Sequence, residues 1–593
     1  MTEADAGATV PAWLVRNVEE SGAETALRRQ NPDGSGLEEW TWAEVGDRSA
    51  RLAAAFTRLG LERGDRVLLF LRNRPEFHVA DLGAVLAGGT PVSIYNSSSP
   101  EQVAQLCGHS RSRIAVVEDV EFLERLLKVR DQLPELRAIV VADDPDGLRP
   151  QDVSLLADLY GDEPVDLAAA AAAVQPADLA TVIYTSGTTG PPKGVILTHA
   201  NVHAQCAAYS ELVGPTSDRR TVSYLPMAHI AERMVTHYGW LWQCSTVSCC
   251  PDQAELGAYL ALVRPTDLFG PPRVFEKLKA GVQVAVAAAG PERAAGFDQA
   301  REVGHQVAQL RAADEPLPPE LAAAWAKLDA AVFAPLRERM GLDRLTYCFS
   351  GAAPLPVDVM HYLRSIGLPF SEVYGMSENT GGMTWDPYRV RPGTVGRPLP
   401  GVEVRLGPDG EVLARGAIIS PGYLDDPERS AETFDAEGWL HTGDIGTIDA
   451  AGYLSIVDRK KELIITAGGK NISPANLEAL LKSLPLVGQA CVIGDGRRYL
   501  VALLVLDPEV APGWAAREGV PGDLAASPEV RAELERGVAE INRRVSQVEG
   551  IKRFAVLADE WLPDSPQLTA TMKLKRRGVL SGYAEVIESL YTD

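Results

Sequence analysis

The chain has 593 residues, of which 46% are hydrophobic and 23% charged, and its formal net charge is −23. This length exceeds what one hydrophobic core supports, so we expect two or more domains of an ordinary globular protein. The acidic balance excludes a protein that binds nucleic acid through concentrated positive charge, and it requires local positive charge wherever an anionic substrate binds.

The N-terminus and the cysteines together predict a cytoplasmic protein. The first residues, Met1 to Ala6, are acidic and lack the basic and apolar pattern of a signal peptide. No stretch approaches the ~20 apolar residues of a membrane span. The seven cysteines show no Cys-x-x-Cys spacing, which favours buried reduced thiols over a metal site.

Helical and strand patterns alternate from about residue 10 to residue 130. Thr41 to Glu44 has the pattern of a capping box and precedes an amphipathic helix. Arg66 to Leu71 then predicts a strand, and residues from about 76 to 86 predict the next helix. This alternation is typical of an α/β domain with largely parallel sheets.

The later part of the chain changes in character twice. Residues from about 277 to 340 have helical periodicity and predict helices packed on the large domain. After Thr394, short strands and turns predict a small β subdomain, and a boundary is predicted near Asp458. We therefore predict an N-terminal domain of residues 1–458, with stacked α/β sheets and the β subdomain, followed by a smaller α+β domain of residues 459–593.

A loop rich in glycine and hydroxyl groups lies between two apolar, β-branched strands. The strands are predicted at Ala180 to Ile183 and at Val195 to Thr198. Glycines allow backbone N–H groups to approach phosphate oxygens, hydroxyls donate hydrogen bonds and a lysine adds charge. The loop is not a Walker A motif, because two prolines separate Gly190 from Lys193. A flexible surface hairpin is the alternative interpretation.

Two further clusters follow apolar strands. One runs from Ser350 to Leu355 and the other from Val373 to Glu378. Each is expected in a strand-end loop, where α/β sheets usually bind ligands. Tyr374 offers a flat face to a purine and Glu378 offers an oxygen ligand suited to Mg²⁺, although a single glutamate is usually just a solvated charge.

Three more clusters are ambiguous when each is considered alone. Asp444 follows a glycine, where an aspartate is most often a turn residue, and the run Asp458 to Lys461 has the character of a solvated charge cluster. A glycine pair at 468–469 follows this second cluster, and the third is the run 568–576, which ends in basic residues. His441 is interpreted as a partly buried hydrogen-bonding group and is left out of the site.

The six clusters, in this order from residue 184 to residue 573, resemble those of the adenylate-forming superfamily of acyl-CoA synthetases, related ligases and luciferases. The resemblance covers nearly the whole chain and implies ATP and Mg²⁺ as cofactors and CoA as co-substrate. It assigns ATP binding to Thr185, Ser186, Gly187, Thr188, Thr189, Lys193, Gly351, Ala352, Tyr374, Gly375, Ser377, Asp444, Arg459 and Lys573. Ser377 stands where relatives commonly have threonine.

The resemblance also implies the catalytic and moving parts. Lys573, with Lys575 as the fallback, would bridge the substrate carboxylate and the α-phosphate, and Thr185 and Glu378 would hold Mg²⁺. The C-terminal domain would be mobile about a hinge at Lys461. Gly468 and Gly469 would then line the channel for the pantetheine arm of CoA. Ala570 stands where the long-chain branch often has proline.

Residues 223–233 and 270–277 resemble the long-chain branch of the family, so we expect an apolar tunnel for a fatty acid between them. His229 is either a gate above the acyl site or a core histidine. The implied partners are a fatty acid, ATP and CoA, with weak peripheral membrane contact through the fatty substrate. Three alternatives stay open: an acyl-AMP ligase that loads a carrier protein, a CoA ligase for another carboxylic acid, and an inactive nucleotide-binding protein.

Overall fold

The structure is a computed structural model that describes residues 9–31, 34, 36–185, 192–214, 218–465, 471–563, 565–569 and 572–592. The strands in chain order are β1 (Thr25–Gln30), β2 (Leu37–Thr41), β3 (Arg66–Phe70), β4 (Thr90–Ser93), β5 (Ser112–Val117), β6 (Ala138–Val141), β7 (Ser154–Leu155), β8 (Leu179–Thr185), β9 (Lys193–Thr198), β10 (Arg220–Ser223), β11 (Thr246–Cys249), β12 (Asp267–Gly270), β13 (Tyr347–Ser350), β14 (Phe370–Met376), β15 (Gly381–Trp385), β16 (Arg397–Pro398), β17 (Val402–Leu406), β18 (Glu411–Gly416), β19 (Gly422–Tyr423), β20 (Leu440–Ile448), β21 (Leu454–Arg459), β22 (Ile464–Ile465), β23 (Asn471–Ile472), β24 (Val487–Ile493), β25 (Leu500–Leu506) and β26 (Ile551–Leu557).

The helices in chain order are α1 (Val10–Ser21), α2 (Trp42–Arg58), α3 (Pro75–Leu86), α4 (Pro100–Ser110), α5 (Val120–Leu127), α6 (Leu156–Leu159), α7 (Leu167–Ala173), α8 (His199–Val213), α9 (Ile230–Glu232), α10 (Gly239–Gln243), α11 (Leu256–Val263), α12 (Pro272–Ala288), α13 (Pro291–Ala312), α14 (Pro319–Leu328), α15 (Ala334–Arg339), α16 (Val357–Ser365), α17 (Pro427–Thr433), α18 (Pro474–Lys482), α19 (Ala511–Glu518), α20 (Pro528–Arg544), α21 (Arg576–Gly582) and α22 (Ala584–Ser589). A π-helical segment, Arg233–Tyr238, joins α9 to α10.

Three large sheets form the N-terminal domain. One is wholly parallel, in the order β4-β3-β5-β6-β7. The second has the order β10-β11-β1-β2, and the third has the order β12-β13-β14-β15-β16. Both add antiparallel edge strands to a parallel core. The predicted α/β class with largely parallel sheets is confirmed.

Helices α2 and α3 pack between the first two sheets. α2 begins with the predicted capping box, in which Thr41 and Glu44 satisfy each other's backbone N–H groups. α3 contacts β1 on one side and β3 and β4 on the other, and all its residues are buried. A helix that is buried on every face is stable only inside such a layered core.

The predicted β subdomain is an antiparallel sheet in the order β17-β18-β20-β21. Helices α12 to α16 include the elements expected between residues 277 and 340, and they bury one core with the third sheet. The smaller C-terminal domain follows, with the sheet β24-β25-β26 and cores of its own. The fold class predicted from the sequence is therefore observed.

The cysteines agree with the predicted reduced thiols. All seven are free, and all but the half-buried Cys244 are buried. Burial raises the pKa of thiols such as Cys206 and Cys348. Among the described residues, no helix is long and apolar enough to cross a membrane.

Candidate active site

The glycine-rich loop connects two strands whose pairing fixes its ends. β8 and β9 are antiparallel and place Thr185 opposite Lys193. The predicted strands are thus confirmed, and the loop's first hydroxyl and its lysine stand side by side. Residues 186–191, which include Ser186, Gly187, Thr188 and Thr189, lie outside the described residues.

Tyr423 connects the lysine of this loop to Glu378. β19 pairs with β9 and sets Tyr423 beside Val195. The Tyr423 hydroxyl donates to Glu378 Oε1 at 2.9 Å. Lys193 Nζ donates to the same hydroxyl at 3.5 Å and lies 4.7 Å from the ring centroid. Burial, followed by the Glu378 charge, raises the pKa of Tyr423, so the hydroxyl stays protonated and able to donate.

Tyr423 is not among the residues that the sequence predicts for the site. The sequence of Pro421, Gly422 and Tyr423 is typical of a turn and carries no chemical group that marks a site on its own. Its importance comes from pairing with a strand more than two hundred residues earlier, which puts its hydroxyl between two predicted site residues. Tyr423 could be identified only from the pairing of β19 with β9, which brings it close to the predicted loop.

The second cluster is held by close backbone contacts. Gly351 follows β13, and a Cβ atom there would come within 2.9 Å of the Val373 side chain and carbonyl oxygen, so only glycine fits. Ala352 follows with a left-handed φ of 71°. The two residues thus stand directly after a parallel strand, as predicted for a strand-end loop.

The third cluster differs from its predicted placement. Tyr374 and Gly375 lie inside β14 and not in a loop, because the antiparallel strand β15 extends the ladder past them. A Cβ atom on Gly375 would lie 1.8 Å from the Gly381 carbonyl oxygen, which explains the glycine. The loop prediction is correct only from Ser377, which begins a 3₁₀ turn containing Glu378.

Asp444 is enclosed by two of the other predicted residues. The pairing of β20 with β21 places it opposite Arg459. Its Oδ2 accepts the Tyr374 hydroxyl at 2.6 Å, and its Oδ1 lies 3.3 Å from Arg459 Nε. Burial raises the pKa of Asp444, and Arg459 opposes this shift. His441 faces Asp435 and Glu411 instead, in agreement with its omission from the site.

Lys573 reaches the same cluster from the C-terminal domain. It lies close enough to Arg459, Asp444 and Glu378 for electrostatic interaction. Lys573 is exposed to solvent, although protein atoms around its side chain partly desolvate it. This partial desolvation, together with the Arg459 charge, lowers the pKa of Lys573 to about 8.

Thr569 holds the backbone of Lys573. The Lys573 N–H donates to Thr569 Oγ1 at 3.0 Å, and the Lys573 carbonyl accepts the Thr569 N–H at 2.8 Å. Leu568, next to Thr569, is fully buried and pairs with Leu574. Lys575 Nζ donates to the Ser565 carbonyl within the C-terminal domain. Because the Lys575 ammonium is bound within its own domain and the Lys573 ammonium lies near Asp444 and Glu378, Lys573 is the better candidate for the catalytic lysine.

His229 also lies near Lys573, and the positive charge of Lys573 adds to the effect of burial on the pKa of His229. Burial lowers the pKa of His229 to about 3, so the ring is neutral near pH 7. Its Nδ1 accepts the Ala231 N–H at 3.2 Å and so caps α9. The half-buried ring therefore has a structural role as a cap while one edge remains close to the cleft.

Buried polar groups anchor the segment after His229. Arg233 pairs with Asp81 of α3, and His237 Nε2 lies 2.9 Å from the other Asp81 oxygen. Glu232 accepts hydrogen bonds from Ser223 Oγ and the Tyr224 N–H, and burial raises its pKa to about 7. Asp81 and Arg233 form a buried ion pair and Glu232 is satisfied by hydrogen bonds, so the segment that follows His229 is held in place.

Lys460, which precedes the predicted hinge residue Lys461, forms ion pairs with the β subdomain. Lys460 Nζ lies 2.5 Å from Asp409 and 3.3 Å from Glu411, which ties it to the β subdomain. Lys461, the next residue, is exposed. Gly468 and Gly469 lie outside the described residues.

Three observations concern the acyl and metal sites. The Tyr224 hydroxyl donates to the Phe269 carbonyl at 2.8 Å and would lie 2.6 Å from a Cβ atom on Gly270, so the two segments predicted to border the tunnel meet there. A cavity of about 930 Å³ lies elsewhere, near Thr346 and Pro369 at the N-terminal ends of β13 and β14. No cluster of three or more histidine, cysteine or carboxylate groups forms a metal site in the described residues.

These residues nevertheless fit an Mg²⁺ ion that arrives with ATP. Such an ion is usually held by one or two protein oxygens, substrate phosphates and water. Glu378 supplies one carboxylate, oriented by Tyr423, and Thr185 supplies a hydroxyl at the end of β8.

Comparison with known proteins identifies the class. The family model for AMP-binding enzymes matches residues 14–424, and that for the C-terminal domain of AMP-binding enzymes matches residues 461–593. The chain belongs to the AMP-binding enzyme family.

Particular relatives extend this result. The protein fadD11 of Mycobacterium tuberculosis is 46% identical over 71% of this chain and 74% of its own length. FadD15 of Mycobacterium bovis, a long-chain-fatty-acid–CoA ligase by name, is 35% identical over 93% of this chain and 92% of its own. The anthranilate CoA ligase AuaEII shares the fold, with a TM-score of 0.75, 21% identity and full coverage of both chains.

Proposed function

We propose that this protein is a long-chain fatty-acid–CoA ligase that forms acyl-AMP from a fatty acid and ATP and then transfers the acyl group to CoA. The observation that carries the proposal is the position of Lys573 from the C-terminal domain beside Asp444, Arg459 and Glu378 of the N-terminal domain. Family membership and the name of FadD15 support the same reaction.

The first half-reaction joins two anions. A carboxylate oxygen attacks the α-phosphorus of ATP, the bond to the β-phosphate oxygen breaks and pyrophosphate leaves. Positioning and electrostatic stabilisation dominate catalysis of this kind. Lys573 holds its ammonium between the carboxylate and the α-phosphate and stabilises the charge that develops there.

The remaining polar residues bind and orient ATP. Lys193 and the loop from Thr185 hold the β- and γ-phosphates, and Asp444 and Arg459 bind the ribose. Gly351, Ala352, Tyr374, Gly375 and Ser377 bind the adenine end. Thr185 and Glu378 hold Mg²⁺, which when bound neutralises phosphate charge.

The second half-reaction requires a different arrangement. The CoA thiolate attacks the acyl carbon, and AMP leaves with the electron pair of the broken anhydride bond. Lys573 has to withdraw to make room, so residues 459–593 form the mobile domain and residues 1–458 the fixed one. Lys461, next to the anchored Lys460, serves as the hinge, and Gly468 and Gly469 line the pantetheine channel.

The ionisation of Lys573 gives a test by pH. Because its pKa is about 8, the ammonium is present below pH 8 and is lost as the pH rises through it. We expect kcat/KM for pyrophosphate release to fall above about pH 8, and kcat to fall at higher pH because bound ATP stabilises the ammonium. Lys573→Arg should lose this alkaline limb in both profiles. If kcat/KM still fell above about pH 8 in Lys573→Arg, the ionisation of a group other than Lys573 would cause the fall.

The substrate is tested by measuring pyrophosphate release with acids from C4 to C18 and aromatic acids, with and without CoA. We expect turnover with C12–C18 acids and discharge of the acyl-AMP by CoA. Turnover restricted to short or aromatic acids would favour a CoA ligase for another acid. Acyl-AMP that accumulates in the presence of CoA would favour the carrier-protein alternative.

A further inference from the structure

Helix α12 carries ion pairs across the interface between the two domains. The Arg273 guanidinium pairs with the Asp507 carboxylate, and Lys277 Nζ lies 2.7 Å from Glu509 Oε1. Arg273 and Lys277 are one helical turn apart and share a face of α12. Asp507 and Glu509 directly follow β25 of the C-terminal domain. One face of an N-terminal helix is therefore docked on a loop of the other domain.

The third charged residue on this face, Glu276, is negative. The residue that faces it from the C-terminal domain, Lys482, is positive. Glu276 interacts electrostatically with Lys482 at the end of α18. Along α12 the charges are positive, negative and positive, and the facing C-terminal groups are negative, positive and negative. A shift of the interface would bring like charges together, so this pattern selects one docking position.

The Arg273–Asp507 pair is the central contact. Asp507 is 2% exposed, and its Oδ1 accepts the N–H groups of Glu509 and Val510 at 2.9 and 3.1 Å. Although burial acts in the opposite direction, the hydrogen bond from Arg273 leaves the pKa of Asp507 below its usual value, so the carboxylate is charged. Lys277 and Glu509 are at least half exposed and form the rim of the contact, where salt screens them.

We propose that Arg273, supported by Glu276 and Lys277, is a positioning residue that docks the C-terminal domain in the orientation that forms acyl-AMP. The proposal rests on the proposed function, because it concerns the first half-reaction. The same orientation places Lys573 beside Asp444 and Glu378. Loss of the docking contact lowers the fraction of molecules with Lys573 in place. The charged residues of segment 270–277 thus act at the domain interface.

Kinetics of the separate half-reactions test the proposal. Arg273→Ala should slow pyrophosphate release with a C16 acid by about tenfold, as for loss of one partner of a partly buried ion pair whose carboxylate is left buried and unpaired. Thiolation of supplied acyl-AMP should stay at the wild-type rate, because it uses the other orientation. Lys279→Ala is the matched control: Lys279 lies on α12 but pairs with Asp358 inside the N-terminal domain. It should leave both half-reactions unchanged.

Charge exchange at the rim separates docking from folding defects. Lys277→Glu and Glu509→Lys should each slow pyrophosphate release by roughly threefold, as expected for an exposed pair. The double variant should recover most of the loss. Equal slowing of both half-reactions in Arg273→Ala, or a double variant no better than the singles, would overturn the proposal.

A measurement without catalysis distinguishes this proposal from the proposed function. The distribution of distances between spin labels on the two domains, in nucleotide-free protein, should broaden in Arg273→Ala and not in Lys279→Ala. If the distance distribution broadens in Arg273→Ala while the wild type releases no pyrophosphate with any acid, Arg273 docks the C-terminal domain and the proposed function is wrong. If it does not broaden, docking by Arg273 is wrong whatever the activity.

Discussion

Lys573→Ala should reduce pyrophosphate release by a factor on the order of 10² to 10³ and leave thiolation of supplied acyl-AMP close to the wild-type rate. The reason is that its ammonium, held beside Asp444 and Glu378, stabilises charge only while the carboxylate meets the α-phosphate. Rapid-quench assays of each half-reaction on the same enzyme preparation measure both effects. They also show whether the variant binds ATP normally.

Lys575→Ala is the matched control for this prediction. It removes an identical side chain two residues away, whose Nζ donates to the Ser565 carbonyl inside the C-terminal domain. We expect only a small loss of either half-reaction. If the two variants exchanged their effects, Lys575 would be the catalytic lysine. Equal loss of both half-reactions in Lys573→Ala would remove the lysine from the proposed role.

Glu378→Gln should lower the rate of pyrophosphate release by about a hundredfold and raise the Mg²⁺ concentration needed for half-maximal rate. The substitution keeps the shape of the side chain and removes its charge, so the effect reports on the metal and not on packing. Initial rates over a range of Mg²⁺ at saturating ATP give both quantities. An unchanged Mg²⁺ requirement would show that Glu378 does not hold the ion.

Tyr423→Phe should slow pyrophosphate release less than Glu378→Gln does. It removes the hydroxyl that orients Glu378 and contacts Lys193 but keeps the ring. A lost hydrogen bond to a charged group predicts a decrease of about tenfold. Glu403→Gln, at an exposed pair with Arg415 on the β subdomain, makes the same chemical change far from the cluster and should have no effect.

Local features of the fold were predictable from the sequence because their causes are local. The capping box of Thr41 and Glu44 involves residues three positions apart and was predicted correctly. The strands on both sides of the glycine-rich loop follow from short β-branched runs. The placement of Tyr374 in a loop was wrong because the partner strand β15 that extends β14 past it could not be recognised beforehand.

The candidate site was predictable only where a residue type carries its own chemical signal. Glu378, Asp444 and Lys573 belong to motifs, and the structure brings them together. Tyr423 belongs to no motif, and the segment that contains Arg273 was interpreted as a border of the acyl tunnel. The contacts of both residues depend on partners that are distant in sequence. Arg273 is 234 residues from Asp507, and Tyr423 is 230 residues from Lys193. Pairings of that kind are set by tertiary packing.

The burial of α3 has a consequence for how the chain folds. This helix has no exposed face, and its Asp81 finds Arg233 and His237 only 152 and 156 residues later. Until both flanking sheets exist, α3 would expose apolar surface and Asp81 would lack its cationic partners. The first two sheets should therefore form in one late cooperative step dominated by long-range contacts, which is intrinsically slow. A fragment that ends before residue 230 should aggregate rather than fold.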